Sequence, residues 1–531
     1  MPRKPERAPM PSERTTTGRL ALVATPETLA PTHAWALASN LGQVCGVVTP
    51  SPAAPESLAS VGAIDYLGSL EDLRAAHERC GLTTLVVSLP APMREAAARA
   101  SSVARTLGLR VVQLPSPNET TNPAPSAAGA ELDPEDLIGR GGRALDPGAI
   151  QRARRALTGK RVLITGAGGS IGSELARIVA GFEPESIILM ERSENALFEI
   201  DRQLAARHPR TLRRAMLHDV VEAESTAAWL QRLRPQVVFH AAAHKHVTLM
   251  EDHPSHAVNN NFFGTRSIAD AAADCGAERF VMISTDKAVN PKSVMGATKR
   301  FAELYVRSLN DRSDGMRACM VRFGNVLGSA CSVIPIWTRQ LAEGGPLTVT
   351  HPEMTRYFMT IREAASLVIQ AGALTESEAA GANVFVLDMG EPIRIVELAE
   401  RFARLQGFEP RFGPGSGSNA EARSAVPAID VVFTGARPGE KLNEELAHET
   451  ESLRPTPADG VMAWAADPEE IRPGRIEALI EDLSAARWSP DRDEVLSLIQ
   501  KHAPGVGDGP ARAEMPNRSL PNNHNAGLTA A

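Results

Sequence analysis

Residues 284–300 read STDKAVNPKSVMGATKR. A hydroxyl, a carboxyl and an amine follow one another at Thr285, Asp286 and Lys287, where the apolar run RFVMIS (279–284) ends. Such a trio can move protons if its members carry the right charge. Asp286 must hold a proton to act as an acid, and Lys287 must lose one to act as a base. Burial pushes both groups that way, because it disfavours their charged forms. An ion pair between the two opposes both shifts, and spacing alone favours that pair as a structural feature of a strand end. Met295 and Lys299 stand four apart, so on a helix they share one face. Lys299 can hold a ligand oxygen. Met295 cannot accept a proton, and packing is what a thioether offers.

A second pattern is TGAGGSIG (165–172), which follows an apolar strand and opens a helix. Gly166 permits the tight turn, Gly169 lets a pyrophosphate approach the backbone, and Gly172 lets helix and strand pack closely. The helix N-terminus then faces the phosphate charge. In this strand–turn–helix context the pattern predicts a dinucleotide site that includes Ser170 and Ile171. Glu191 lies 25 residues after Gly166. A carboxylate there accepts from ribose hydroxyls and repels a 2′-phosphate, which favours NAD over NADP, although Arg192 beside it could pair with such a phosphate. Asp219, with Val220 next to it, is placed to meet the adenine amine or to cap a turn. Ala241 and Ala242 follow the next strand end and join the cofactor-binding set. His240, His244 and His246 sit nearby, but no carboxylate is spaced to complete a metal site, so no metal is expected.

These groups need a scaffold of alternating strands and helices. RVLIT (161–165), SIILM (186–190), QVVFHA (236–241), RFVMIS and ACMVRF (318–323) read as buried strands, with amphipathic helices such as SELARIVAGF and IVELAERFARLQ between them. The fold class is α/β, a Rossmann-type doubly wound parallel sheet. Less regular, Gly- and Pro-rich chain beyond Gly324 suits a smaller C-terminal substrate lobe. A separate α/β domain over residues 18–115 precedes it, with strands LALVAT, VCGVV, TLVVSL and LRVVQL. Its first turn, ATPETLAPT, has no glycine, so a diphosphate cannot approach and a structural or regulatory role is expected. Residues 1–17 and 504–531 read as disordered, and 116–158 as linker and lead-in to a catalytic domain over 159–503.

Composition excludes other classes. The chain of 531 residues carries a net charge of −7, which argues against a nucleic-acid partner. Its five cysteines are odd in number and scattered, as in a reducing cytoplasm. The N-terminus lacks the apolar core of a signal peptide, and no apolar run is long enough for a membrane span.

Further motifs lie in order along the chain: HAAAHKHVTLME (240–251), NNNFFGT (259–265), VRFGNVLGS (321–329), VTHPEMTRYFMT (349–360) and ARPGEKLNEEL (436–446). With the glycine turn and the 284–300 stretch, they resemble the extended short-chain dehydrogenase/reductase superfamily, specifically its polysaccharide-biosynthesis branch. Its best-known members are UDP-N-acetylglucosamine 4,6-dehydratases. The resemblance covers residues 131–465 and extends to the N-terminal domain of the large members, without their transmembrane helices. Thr248 stands where that branch usually has proline, and Ala330-Cys331 replaces Arg-Gly, which leaves the exact sugar open.

The resemblance implies a UDP-sugar substrate, a homo-oligomer and a reaction in which water is lost from C5–C6 of a sugar oxidised at C4. Asp286 would then be the acid at C6 and Lys287 the base at C5. Thr285 would contact the C4 hydroxyl, and Lys299 the nicotinamide ribose. Met295 occupies the place where smaller members keep a tyrosine. Asn325 and Lys245 would bind the sugar nucleotide, with Arg356 and Arg437 on its diphosphate. Two rivals remain at this point: an epimerase using the same 4-keto chemistry, and a non-catalytic NAD-binding scaffold.

Overall fold

The computed structural model describes residues 18–38, 42–50, 64–90, 93–114, 137–138, 146–310, 315–374, 383–412, 427–447, 453–464 and 474–507. The expected disordered start, the 116–130 linker and the tail beyond 507 lie outside them. The chain divides into two compact units. One comprises Met1–Asp133, Ile336–Thr348 and Glu397–Val432, and the other Pro134–Pro335, Val349–Val396 and Phe433–Ala531.

The first unit contains a parallel sheet of β1 (Arg19–Ala24), β2 (Gln43–Thr49), β3 (Tyr66–Ser69), β4 (Thr84–Ser88) and β5 (Arg110–Gln113), in the order β3-β2-β1-β4-β5. Leu20 to Ala24 are buried, as a central parallel strand requires. The turn after β1 is closed by side chains. The Thr25 amide donates to Thr28 Oγ1, and the Thr28 hydroxyl donates to the Ser88 carbonyl at 2.6 Å.

The second unit is built on nine strands. They are β6 (Arg161–Thr165), β7 (Ser186–Glu191), β8 (Arg213–Leu217), β9 (Val237–His240), β10 (Arg279–Ile283), β11 (Arg317–Arg322), β12 (Val384–Leu387), β13 (Leu453–Pro455) and β14 (Val461–Trp464). Their order is β13-β14-β12-β11-β10-β9-β6-β7-β8. The run from β12 to β8 is parallel, and β14 and β13 add antiparallel strands at one edge. The winding reverses between β6 and β9, so a crevice opens there outside the carboxyl ends of the strands. Apolar side chains cover both faces: Leu163, Val238, Phe280 and Met320 on one, Ile164, Phe239, Val281 and Val321 on the other. This two-sided burial is why the strands read as unbroken apolar runs.

The lead-in holds structure of its own. Helix Pro147–Leu157 starts with proline and is capped by Asp146, whose Oδ1 accepts from the Ala149 amide at 2.9 Å. Ala153 and Leu157 bury its inner face. At the other end, Val506 is buried in the core, so the packed fold runs past residue 503. Among the described residues no helix is long and apolar enough to cross a membrane.

Candidate active site

The glycine turn has the geometry its spacing requires. Gly166 has φ 63°, and a Cβ there would lie 2.8 Å from the backbone of Ala241 and Ala242. A Cβ on Gly172 would meet the Gly166 carbonyl oxygen at 2.1 Å, so helix and turn can approach only without a side chain. Gly169 caps helix Ser170–Ala180 and faces the cleft. The Ser170 hydroxyl accepts from the Ala330 amide at 3.0 Å, and Ile171 packs against the core.

A cleft of about 180 Å³ opens beside this turn. Gly166, Gly169, Glu191, Arg192, Asp219, Val220, Ala241, Ala242 and His244 line it, together with Asn260 and His218, for which the sequence predicts no cofactor contact. Glu191 Oε2 accepts from the Gly168 amide at 3.1 Å, and Oε1 from the Ser193 amide at 3.0 Å. The carboxylate is thereby fixed at the end of β7. Arg192 Nη1 lies 3.7 Å from Asp219, and Nη2 donates to His244 Nε2 at 2.9 Å. Burial, reinforced by Arg192, pushes His244 down to about 4, so its ring is a neutral acceptor. A glycine in the left-handed region, a helix N-terminus and a fixed carboxylate together fit the adenosine diphosphate half of a dinucleotide.

The proton-transfer candidates gather at the end of β10. Thr285 caps a short turn over Asp286–Ala288, and its hydroxyl donates to Asp286 Oδ1 at 2.8 Å. Lys287 Nζ donates to the same oxygen at 2.9 Å and to Asn325 Oδ1 at 3.1 Å. Gly324 admits the carboxylate, since a Cβ there would sit 3.1 Å from Asp286 Oδ2. Glu444 completes the group. Its Oε1 is 3.8 Å from Lys287 Nζ and 3.9 Å from Arg356 Nη2. Burial pulls the Lys287 ammonium down, but the Asp286 and Glu444 carboxylates outweigh it and hold its proton more tightly than usual. Burial pushes the Glu444 carboxyl up, and the Asp286 charge adds to the rise against the pull of Lys287. The expected ion pair of Asp286 and Lys287 is therefore present, and it sits within a larger set of charges.

Behind this group runs helix Val294–Asn310. Lys299 Nζ donates to the Ile283 carbonyl at 2.5 Å, and burial lowers its pKa to about 8. Met295 is 3% exposed within the apolar core. Farther along the helix, Glu303 is fully buried, accepting from Ser284 at 2.6 Å and from Arg322 at 2.8 Å on each oxygen. These bonds lock the strand end that carries Thr285. His240 is fixed in the same way. The Thr265 hydroxyl donates to the Asn261 carbonyl, so His240 Nε2 donates to Thr265 and Nδ1 accepts from Thr165. Burial pushes this ring down to about 3.

The substrate candidates are placed differently. Asn325 is in the group. Arg356 is buried, and its guanidinium donates to the carbonyls of Thr355, Leu442 and Lys441, so it holds the 441–444 loop. Lys245 donates to the Ala330 carbonyl at 2.7 Å. Arg437 is exposed on its loop. Glu444 is not among the residues expected from sequence; its place in the ARPGEKLNEEL motif is its one signal there.

Residues 162–466 match the family described as polysaccharide biosynthesis protein. The capsular polysaccharide biosynthesis protein CapD of Staphylococcus aureus is 41% identical over 386 residues, covering 72% of this chain and 61% of that protein. A UDP-N-acetylglucosamine 4,6-dehydratase (inverting) of Campylobacter jejuni is 28% identical over 54% of this chain and 76% of its own length. A UDP-glucose 4-epimerase of Rickettsia rickettsii is 34% identical over 40% of this chain and 62% of its own.

Proposed function

The chain belongs to the polysaccharide biosynthesis protein family, and on that premise we propose that it is a nucleotide-sugar 4,6-dehydratase acting on UDP-N-acetylglucosamine with NAD. One observation carries the reading: a hydroxyl, two carboxyls and an amine form a chain of contacts, each under 4 Å, at the end of β10. Bound NAD would accept hydride from sugar C4 and return it to C6. The residues supply the proton movements. Thr285 meets the C4 hydroxyl and passes its proton to Asp286. Lys287 gives its ammonium proton to solvent before the chemical steps and, neutral, takes the C5 proton, which the adjacent ketone has made removable, and returns it after water has left. Asn325 orients Lys287, and Lys299 holds the nicotinamide ribose. Glu191 favours NAD, because it occupies the ribose position while Arg192 is already engaged by Asp219 and His244.

The similarity to an epimerase supports a second reading. An epimerase uses the ketone but needs no acid at C6, so it leaves the second carboxyl without a task. Mass spectrometry separates the two after incubation with UDP-N-acetylglucosamine. Loss of one water supports the dehydratase. An unchanged mass with altered sugar configuration supports the epimerase, and no reaction with any UDP-sugar rejects both.

A further inference from the structure

Glu444 sits inside the proton-transfer group, and its surroundings differ from those of Asp286. Both side chains are buried, at 3% and 0% exposure. Asp286 Oδ1 receives two hydrogen bonds, from the Thr285 hydroxyl and the Lys287 ammonium. Glu444 Oε1 has two cations near it, Lys287 at 3.8 Å and Arg356 at 3.9 Å, but neither is within hydrogen-bond reach. Arg356 is occupied by three loop carbonyls. Lys441, the other cation facing Glu444, donates to the Val289 carbonyl at 2.9 Å. Glu444 Oε2 and Asp286 Oδ2 are both buried without a partner.

A buried carboxylate that receives no hydrogen bond is costly, whereas a neutral carboxylic acid is far cheaper to bury. When two carboxyls share a site in unlike environments, one keeps the charge and the other the proton. Here one oxygen of Asp286 receives two hydrogen bonds, and neither oxygen of Glu444 receives any.

We propose that Glu444 carries a proton in the resting site and delivers it to the departing C6 hydroxyl, while Asp286 stays the acceptor for Thr285 and Lys287. The delivery step rests on the dehydratase reading above. As Lys287 takes the C5 proton, the C5–H electron pair moves into the C4 carbonyl as an enolate. When the C6–O bond breaks, that pair forms the C5=C6 double bond, and the oxygen leaves with the Glu444 proton as water. The proton that Thr285 and Asp286 took from the C4 hydroxyl restores the Glu444 carboxyl. One proton thus passes from the C4 oxygen to water in each turnover. A neutral Glu444 also leaves Lys287 with one carboxylate instead of two, which eases the loss of its proton.

Two measurements on the full chain test this. Infrared difference spectra of wild type against Glu444→Gln, at neutral pH without substrate, read the carbonyl stretch of a protonated carboxyl directly. The band is expected in wild type and absent from the variant. Turnover is then followed at two sites: solvent deuterium entering C5, and water lost from C6. Glu444→Gln keeps the neutral shape without the acidic proton, so C5 exchange should continue while water loss falls about 100-fold or more. Glu444→Asp should retain the band at a shifted position and recover part of the water loss; it also serves for the infrared comparison if the glutamine variant does not fold. Absence of the band in wild type, or water loss by Glu444→Gln at the wild-type rate, overturns the proposal. If the wild type dehydrates no UDP-sugar, the delivery step falls with the dehydratase reading, and the band still decides whether Glu444 holds the proton.

Discussion

Replacing Lys287 with Met tests how the charges at the end of β10 are balanced. The ammonium donates to Asp286 at 2.9 Å and Asn325 at 3.1 Å, and lies 3.8 Å from Glu444. Methionine fills similar space and leaves two buried carboxyls with Arg356 as the nearest cation, 3.9 Å from Glu444. Removing one partner of a buried ion pair costs about 3–5 kcal/mol, because the remaining charge is uncompensated. The variant can reduce that cost by binding a proton. A carboxyl that takes up a proton to relieve the lost pairing lends stability that is intact in acid and is lost as pH rises through its folded value. Each pH unit in that window is worth about 1.4 kcal/mol. The gap from wild type should be about 3–5 kcal/mol at pH 8 and shrink to about 1 kcal/mol near pH 5. Denaturant unfolding of both proteins across that range measures it. A gap that does not change with pH, or that widens in acid, refutes the charge assignment. Water loss should cease in this variant while binding of NAD survives, since Lys287 does not line the cleft.

Other perturbations separate the remaining parts. Lys299 has a pKa lowered to about 8, so the fold binds one proton fewer than the unfolded chain between there and the ordinary lysine value. Stability should therefore rise with pH across that window by about 3 kcal/mol, and Lys299→Met should remove the rise in paired unfolding measurements at pH 7.5 and 10. Gly166→Ala forces a Cβ at φ 63° to within 2.8 Å of the Ala241 backbone. The left-handed turn alone costs about 1–2 kcal/mol, so calorimetry should find NAD affinity down about tenfold or more. Met295→Tyr should not raise the rate of C4 oxidation. It should lower stability by about 1–3 kcal/mol by overfilling the apolar core that holds Met295, read as a lower denaturant midpoint.

What the sequence made legible follows from the range of the interactions. The strands and the glycine turn could be read because their signals are local: an apolar run, then glycines at fixed spacing, then a helix. Glu191 could be read for the same reason, since one βα unit fixes its distance from the turn. Arg356 shows where such reading stops. A guanidinium near a ligand crevice suggests phosphate, yet this one donates to carbonyls of Leu442 and Lys441, far along the chain. Glu444 was illegible for the mirror-image reason. Nothing around it in sequence marks a buried acid, and its meaning comes from Lys287 and Arg356, which tertiary packing brings to it.

The methionine at 295 has a physical reading in this arrangement. Met295 is 3% exposed and belongs to the apolar core, where a thioether can pack but cannot accept a proton. Lys299, one turn on, does reach the strand end and bonds to the Ile283 carbonyl. At positions 295 and 299 the helix offers a cation and no hydroxyl. The hydroxyl of the site comes from Thr285, already bonded to Asp286, which is bonded in turn to Lys287. Glu303, Arg322 and Ser284 hold that strand end from behind. A proton leaving a sugar hydroxyl at Thr285 needs no tyrosine to receive it, because a carboxylate stands 2.8 Å away. Thr285→Val would break this path while keeping the shape. It should slow C4 oxidation far more than Met295→Leu, and equal losses in the two variants would place the proton path elsewhere.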